Sequence, residues 1–163
     1  MLTAEKLREL FLYDPAKGLF TRRTYRSPNA KIGDVAGTPD ADGYIQIQID
    51  GKLYKAHRLA WLYMTGEWPS SGIDHRDTVK SNNAWSNLRP ASQAQNAANC
   101  GMRSFNTSGF KGVTFDKKKG RWMAQIQVRG KCVHLGYHAT PENAHAAYVE
   151  AAGKIHGEFA RAS

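Results

Sequence analysis

Residues 122–128 alternate without a break, and that period of two constrains the fold more than any other feature. Trp122, Ala124, Ile126 and Val128 fall on one side of an extended chain, with Met123, Gln125, Gln127 and Arg129 on the other. A strand of this kind has one face to bury. The sequence that follows supplies the cover. Thr140 is placed to cap a helix that Pro141 opens, and Ala144, Ala147, Tyr148 and Ala151 then recur at helical spacing. A helix lined with alanine is thin enough to lie close on a sheet. Segments 109–115 and 132–136 read as the flanking strands, with Val133 and Leu135 turned inward. Residues 109–163 are thus predicted as a three-stranded antiparallel sheet packed on one helix, its other face polar and open.

The preceding hundred residues read as a separate, mixed domain, which makes the whole an α+β chain. Thr3 caps a predicted helix over 4–12, with Leu7, Leu10 and Phe11 on one face. A turn at 14–18 leads to a short strand at 19–21. Residues 24–43 hold five Gly and Pro and read mainly as loop. Segments 44–49 and 52–56 flank Asp50-Gly51, a pair that favours a two-residue hairpin turn. A helix over 57–64 follows, broken at 68–72. Then come a short strand ending in Asp74-His75, a loop at 76–86, a strand at 87–89, and a helix at 93–99. Ser92 and Gln95 form a capping box for that helix. Residues 101–108 are polar and unperiodic, a linker.

Charge and cysteine content narrow the function. Residues 101–163 hold ten Lys and Arg against four Asp and Glu, two-thirds of the chain's net charge of +9. Such a surface binds polyanions by releasing their counterions, although a merely solvated basic face has the same composition. Two cysteines, Cys100 and Cys132, make neither a disulfide framework nor a zinc pair. The N-terminus has no signal-peptide core, and nothing approaches the ~18 apolar residues of a membrane span. The expectation is a cytoplasmic, soluble chain with no membrane partner and no small-molecule cofactor.

Asp74-His75, trailed by Asn82, Asn83, Asn87 and Asn96, is poor core material and good material for a phosphodiester-cleaving site. Hydrolysis needs a base for water and a cation for the charge on phosphoryl and leaving oxygens. Histidine, neutral near its usual pKa of ~6.5, suits the first role. A hard cation held by one or two side-chain oxygens suits the second, and Asp74 and Asn96 offer them.

The segment HRLAWLYMTGEWPSSGIDHRDTVKSNNAWSNLRPASQAQNAAN, residues 57–99, resembles the HNH (ββα-metal) endonucleases, in particular the free-standing homing enzymes of phages. The resemblance implies His75 as general base and Asp74 as metal ligand. It implies Asn87 as the central asparagine that steadies histidine and loop, and Asn96 as second ligand. The family's last histidine is replaced by asparagine here, which favours Mg2+ or Mn2+ over zinc, one ion per site. Asn99, one turn later, is an alternative ligand. Asn82 and Asn83 are expected to tie the loop to its own backbone. His57 stands at a family position near the site, though local packing is its commoner use. Trp61, Trp68 and Trp85 read as core or loop anchors.

Residues 108–160 resemble the plant ethylene-response-factor (Apetala-type) DNA-binding domain. The resemblance rests on Gly112-Val113, Trp122, Leu135-Gly136 and the alanine-rich helix ending in His156-Gly157. In that family the sheet enters the major groove. Strand alternation selects the same open face here: Thr114, Gln125, Gln127, Arg129 and His134. Lys111, Lys117, Arg121 and Lys131 surround it and would hold phosphates. Double-stranded DNA is the expected partner, bound by a monomer or a transient dimer. A metal-dependent DNA endonuclease is the leading expectation, with 1–100 cutting and 109–163 choosing the site. A non-cleaving DNA-binding regulator on an inactive HNH fold is the alternative. An RNA-binding module, which would show aromatics on the open sheet face, is a third reading.

Overall fold

The computed structural model describes residues 1–99, 102, 106–128 and 130–160. The α+β class is observed, in two compact units, Met1–Ala91 and Ser92–Ser163.

In the first unit Thr3 caps α1 (Ala4–Leu10), its Oγ1 accepting from the Lys6 amide at 3.3 Å. The helix stops short of the expected residue 12. Phe11 turns extended and opens β1 (Phe11–Asp14), which pairs antiparallel with β2 (Leu19–Arg22). Leu7, Leu10 and Phe11 satisfy helical spacing. Burying both Phe11 and Tyr13, however, requires alternate residues on one face. Asp14 Oδ1 closes the turn by accepting from the amides of Ala16 and Lys17.

The stretch read as loop contains two short strands. β3 (Val35–Ala36) joins β2, and β4 (Thr38–Pro39) joins β5 (Ile45–Ile49). β5 and β6 (Lys52–Lys55) form the expected hairpin. Asp50 and Gly51 sit at φ 47° and 78°, the two positive angles such a turn demands. α2 (Ala56–Thr65) buries Leu59, Ala60 and Leu62 against these strands.

β7 (Gly72–His75) and β8 (Leu88–Ala91) then pair with Asp74 opposite Arg89 and His75 opposite Leu88. Ile73 and Leu88 belong to the same core as Leu7, Phe20, Ile47 and Leu59. Burial of each of those last four side chains contributes on the order of 2 kcal/mol. The strand bearing Asp74-His75 is therefore anchored in the main core of its unit.

In the second unit α3 (Gln93–Asn99) carries its capping box. The Gln95 amide donates to Ser92 Oγ at 3.3 Å, and the Ser92 amide to Gln95 Oε1 at 2.8 Å. β9 (Val113–Asp116), β10 (Arg121–Val128) and β11 (Lys131–His138) form an antiparallel sheet with β10 central. α4 (Pro141–His156), capped by Thr140, covers one face. Ala124 and Ala144 are fully buried there, beside Ile126, Tyr148 and Ala152. The pairing of β10 with β11 slips by one residue between Ala124 and Gln125, a bulge that leaves Leu135 as the extra residue. Leu135 packs inward, as expected. Val133 keeps its place opposite Ile126 but is 41% exposed, because β11 is an edge strand with no neighbour on its far flank.

Candidate active site and nucleic-acid interface

Both members of the Asp74-His75 pair are buried, although their side chains leave opposite faces of β7. His75 Nε2 lies 3.2 Å from Asn83 Oδ1. The orientation of that amide is set on its other side, where Nδ2 donates to the Ser81 carbonyl at 3.1 Å. An acceptor therefore faces the ring. That arrangement suits the tautomer with its hydrogen on Nε2, which leaves on Nδ1 the lone pair that a base needs. Burial holds His75 below the ordinary imidazole range, opposed by the Asn83 bond and the carboxylates of Asp77 and Asp74. The ring is neutral at pH 7.

Asn83 thus takes a role assigned from sequence to Asn87. Asn87 steadies the loop: its Oδ1 accepts from the Asp77 amide at 3.0 Å, and its Nδ2 donates to Asp77 Oδ1 and the Asn82 carbonyl. The reason is reach. Asn87 ends a 3-10 turn at the base of the loop, whereas Asn83 is buried in the loop beside the ring. Asn82 ties the loop as expected, donating to Asp77 Oδ2 at 2.6 Å and accepting from the Ala84 amide. Burial pushes the Asp77 carboxyl up, but these bonds outweigh it and hold the group below its usual range.

Asp74 has a partner that sequence reading missed. Arg89 Nε and Nη2 both donate to Asp74 Oδ2, at 2.9 and 2.8 Å, and both residues are buried. The only sequence signal was Arg89 itself, within Asn-Leu-Arg; the register of β7 on β8 makes the pair.

His57 is not a remote packing residue. Its ring centroid lies 5.1 Å from that of His75, edge to face, and Tyr44 contacts both rings. His57 Nδ1 is buried with no hydrogen-bond partner. Burial, then the nearby His75, Arg58 and Lys55, lowers its pKa to about 3. The tryptophans are anchors: Trp68 Nε1 donates to the Leu2 carbonyl at 3.0 Å, and Trp61 packs on Trp85.

Among the described residues no three His, Cys, Asp or Glu side chains form a metal-binding group. Magnesium needs no such group, since it keeps several waters and takes one or two protein oxygens. On α3, Asn96 Oδ1 is buried and has no hydrogen-bond partner among the described residues. A desolvated amide oxygen of this kind fits a hard cation. Asn99 is also buried.

In the second unit Thr114, Gln125, Gln127 and His134 leave the sheet on the face away from α4. Thr114, Gln127, Lys117, Arg121, Lys131 and His134 are exposed, and Gln125 Oε1 meets Cys132 Sγ at 3.2 Å. Lys111 departs from its expected role. It is half-buried, and its Nζ donates to the Ala98 carbonyl at 2.7 Å, which draws it away from the phosphate rim. Arg129 lies outside the described residues. One residue on the open face was missed. Tyr137 pairs with Met123, meets the His134 ring at a tilt with centroids 4.6 Å apart, and carries Lys119 Nζ 3.9 Å above its ring. Strict alternation from Val133 and Leu135 would have buried it.

Known proteins match both parts of this chain. The HNH endonuclease signature matches residues 54–98, and the AP2 domain signature matches residues 108–158. Protein 3.8 of Escherichia phage T7 is 32% identical over 114 residues, covering 68% of this chain and 93% of that protein. The AP2-like ethylene-responsive transcription factor TOE2 of Arabidopsis thaliana is 40% identical over 70 residues, covering 43% of this chain but 14% of its own length. Among solved structures, the HNH homing endonuclease I-HmuI is similar at 19% identity and a TM-score of 0.42, over 90% of this chain and 84% of that one. The chain belongs to the HNH endonuclease family, in a combination with an AP2-type domain. It is thereby a protein of the nuclease or DNA-binding class. No helix among the described residues is long and apolar enough to cross a membrane.

Proposed function

We propose that the chain is a metal-dependent, site-recognising DNA endonuclease, with residues 1–100 cutting, 101–108 linking and 109–163 reading double-stranded DNA. The observation that carries this reading is the buried His75, whose Nε2 lies 3.2 Å from Asn83 Oδ1, an arrangement that suits a hydrogen on Nε2 and a lone pair on Nδ1. In the proposed reaction Nδ1 takes a proton from water, the water oxygen attacks phosphorus, and the bond to the 3′ oxygen breaks, the departing oxygen taking a proton from solvent. The products are a 5′ phosphate and a 3′ hydroxyl. When bound, one Mg2+ or Mn2+ per site would supply charge neutralisation at the reacting phosphate. Asp74 and Asn96 are the candidate ligands. Thr114, Gln125, Gln127 and His134 would read base edges, with Arg129 between them in sequence. Lys117, Arg121 and Lys131 would hold phosphates. This reading fits work in the cytoplasm of a phage-infected host. Plasmid cleavage with Mg2+ tests it against His75→Ala. Cleavage should fall by at least about a hundredfold, as loss of a general base does, and undiminished cleavage removes the assignment.

The Asp74–Arg89 pair favours a second reading, a DNA-binding protein that does not cut, because a carboxylate already neutralised by a guanidinium is a poorer metal ligand. Its mark is tight, salt-sensitive binding with intact DNA under every divalent metal.

A further inference from the structure

The HNH signature begins at residue 54, yet the group that fixes His75 is itself held by residues far upstream. Asn83 is 1% exposed, and the β1–β2 hairpin holds the loop segment 83–85 at three points. The Tyr13 hydroxyl donates to the Asn83 carbonyl at 2.7 Å. The Trp85 amide donates to the Pro15 carbonyl at 2.8 Å, which pins the chain two residues on. Gly18, at φ +70°, lies so close that an added Cβ would meet the Ala84 nitrogen and the Asn83 carbonyl carbon at 2.2 Å. Only a residue without a side chain permits that approach. Tyr13 is itself buried among Phe20 and Tyr63, so its hydroxyl has a fixed origin.

We propose that Tyr13 and Gly18 are positioning residues for His75, acting through Asn83: the first hairpin sets where the Asn83 amide stands, and that amide sets the tautomer and angle of the imidazole. The proposal rests on the reading of His75 as general base. It makes the N-terminal hairpin part of the cutting apparatus without contact to DNA or metal. Asn83 has two amide contacts, His75 and the Ser81 carbonyl, and neither alone would fix the loop against sliding. The hairpin supplies the missing constraint from a strand pair that the core already holds rigid.

Two measurements on the full-length chain test this. The first is the long-range 1H–15N spectrum of histidine-labelled protein, with the His75 signals assigned by their loss in His75→Gln. Wild type should show a protonated Nε2. Tyr13→Phe, which keeps the ring in the core, should shift or broaden the His75 signals. The second is Mg2+-dependent plasmid cleavage. Tyr13→Phe should lower kcat about tenfold, the scale of a small misplacement of a catalytic group, with KM for DNA within about twofold. Gly18→Ala should act in the same direction and more strongly. Should it fail to fold, Tyr13→Phe decides. A Tyr13→Phe protein with wild-type kcat and wild-type His75 signals overturns the proposal. If the wild type itself never cleaves, the nuclease reading falls, and the His75 spectrum still decides whether the hairpin sets the ring.

Discussion

Asp74 pairs with one cation inside the fold, and the proposed function asks it to hold a second from solution. Its pairing with Arg89 is buried on both sides, so removing either partner takes a close counter-charge from a desolvated group. Asp74→Leu alone should therefore cost about 3–5 kcal/mol in urea unfolding, and Asp74→Leu with Arg89→Met should recover most of that loss. Cleavage should be absent from both variants, which separates the aspartate's part in the fold from its part at the phosphate. His57 makes a second residue-scale prediction. Its pKa is about 3 in the folded chain and 6.5 when unperturbed. Between those values the unfolded chain takes up a proton that the folded chain refuses. The stability from the neutral ring is whole above pH 6.5 and is lost as pH falls toward 3. The urea midpoint of His57→Gln should accordingly fall less steeply than wild type from pH 7 to pH 4. At this scale residue types were legible, but partners were not. Asn82, Asn83 and Asn87 are chemically identical in sequence, and only the path of the loop decides which amide meets the imidazole. Arg89 is fourteen residues beyond His75, and only strand register brings it opposite Asp74.

Elements were read best where one local force dominated. The Asp50-Gly51 turn, the Thr3 and Thr140 caps and the Ser92–Gln95 box all stand where side-chain chemistry put them. The error at residue 11 came from a conflict of periods. Leu7, Leu10 and Phe11 suit a helix, while Phe11 and Tyr13 suit a strand, and pairing with β2 settled it. The seat of α4 on the sheet gives an element-scale prediction. Ala144 and Ala124 leave no room between helix and strand. Ala144→Leu should cost about 1–3 kcal/mol by overpacking, seen as a lower thermal midpoint, and should weaken DNA binding by disturbing the sheet beneath.

For the whole molecule, the concentration of positive charge in the last 63 residues predicts how binding responds to salt. In a plot of log affinity against log salt, Lys117→Ala should reduce the slope by about 1, with equal effect on cognate and scrambled duplexes. Gln125→Ala should leave the slope unchanged and erase part of the preference for the cognate site, as fluorescence anisotropy would read. The succession of an HNH-type segment and an AP2-type segment was legible because each carries its own hydrophobic period and motif. The content of the reading face was less so, and the cause is the slipped pairing opposite Ala124. Before it, odd-numbered positions of β11 look toward α4. After it, even-numbered ones do, so Gly136 and His138 turn inward while Tyr137 turns out. One surplus residue thus acts as a phase shift along the strand. A single-codon deletion at Leu135 would straighten the ladder and leave the same side chains shown to a duplex, since Gly136, Tyr137 and His138 keep their partners on β10; what it removes is one apolar group packed against the helix.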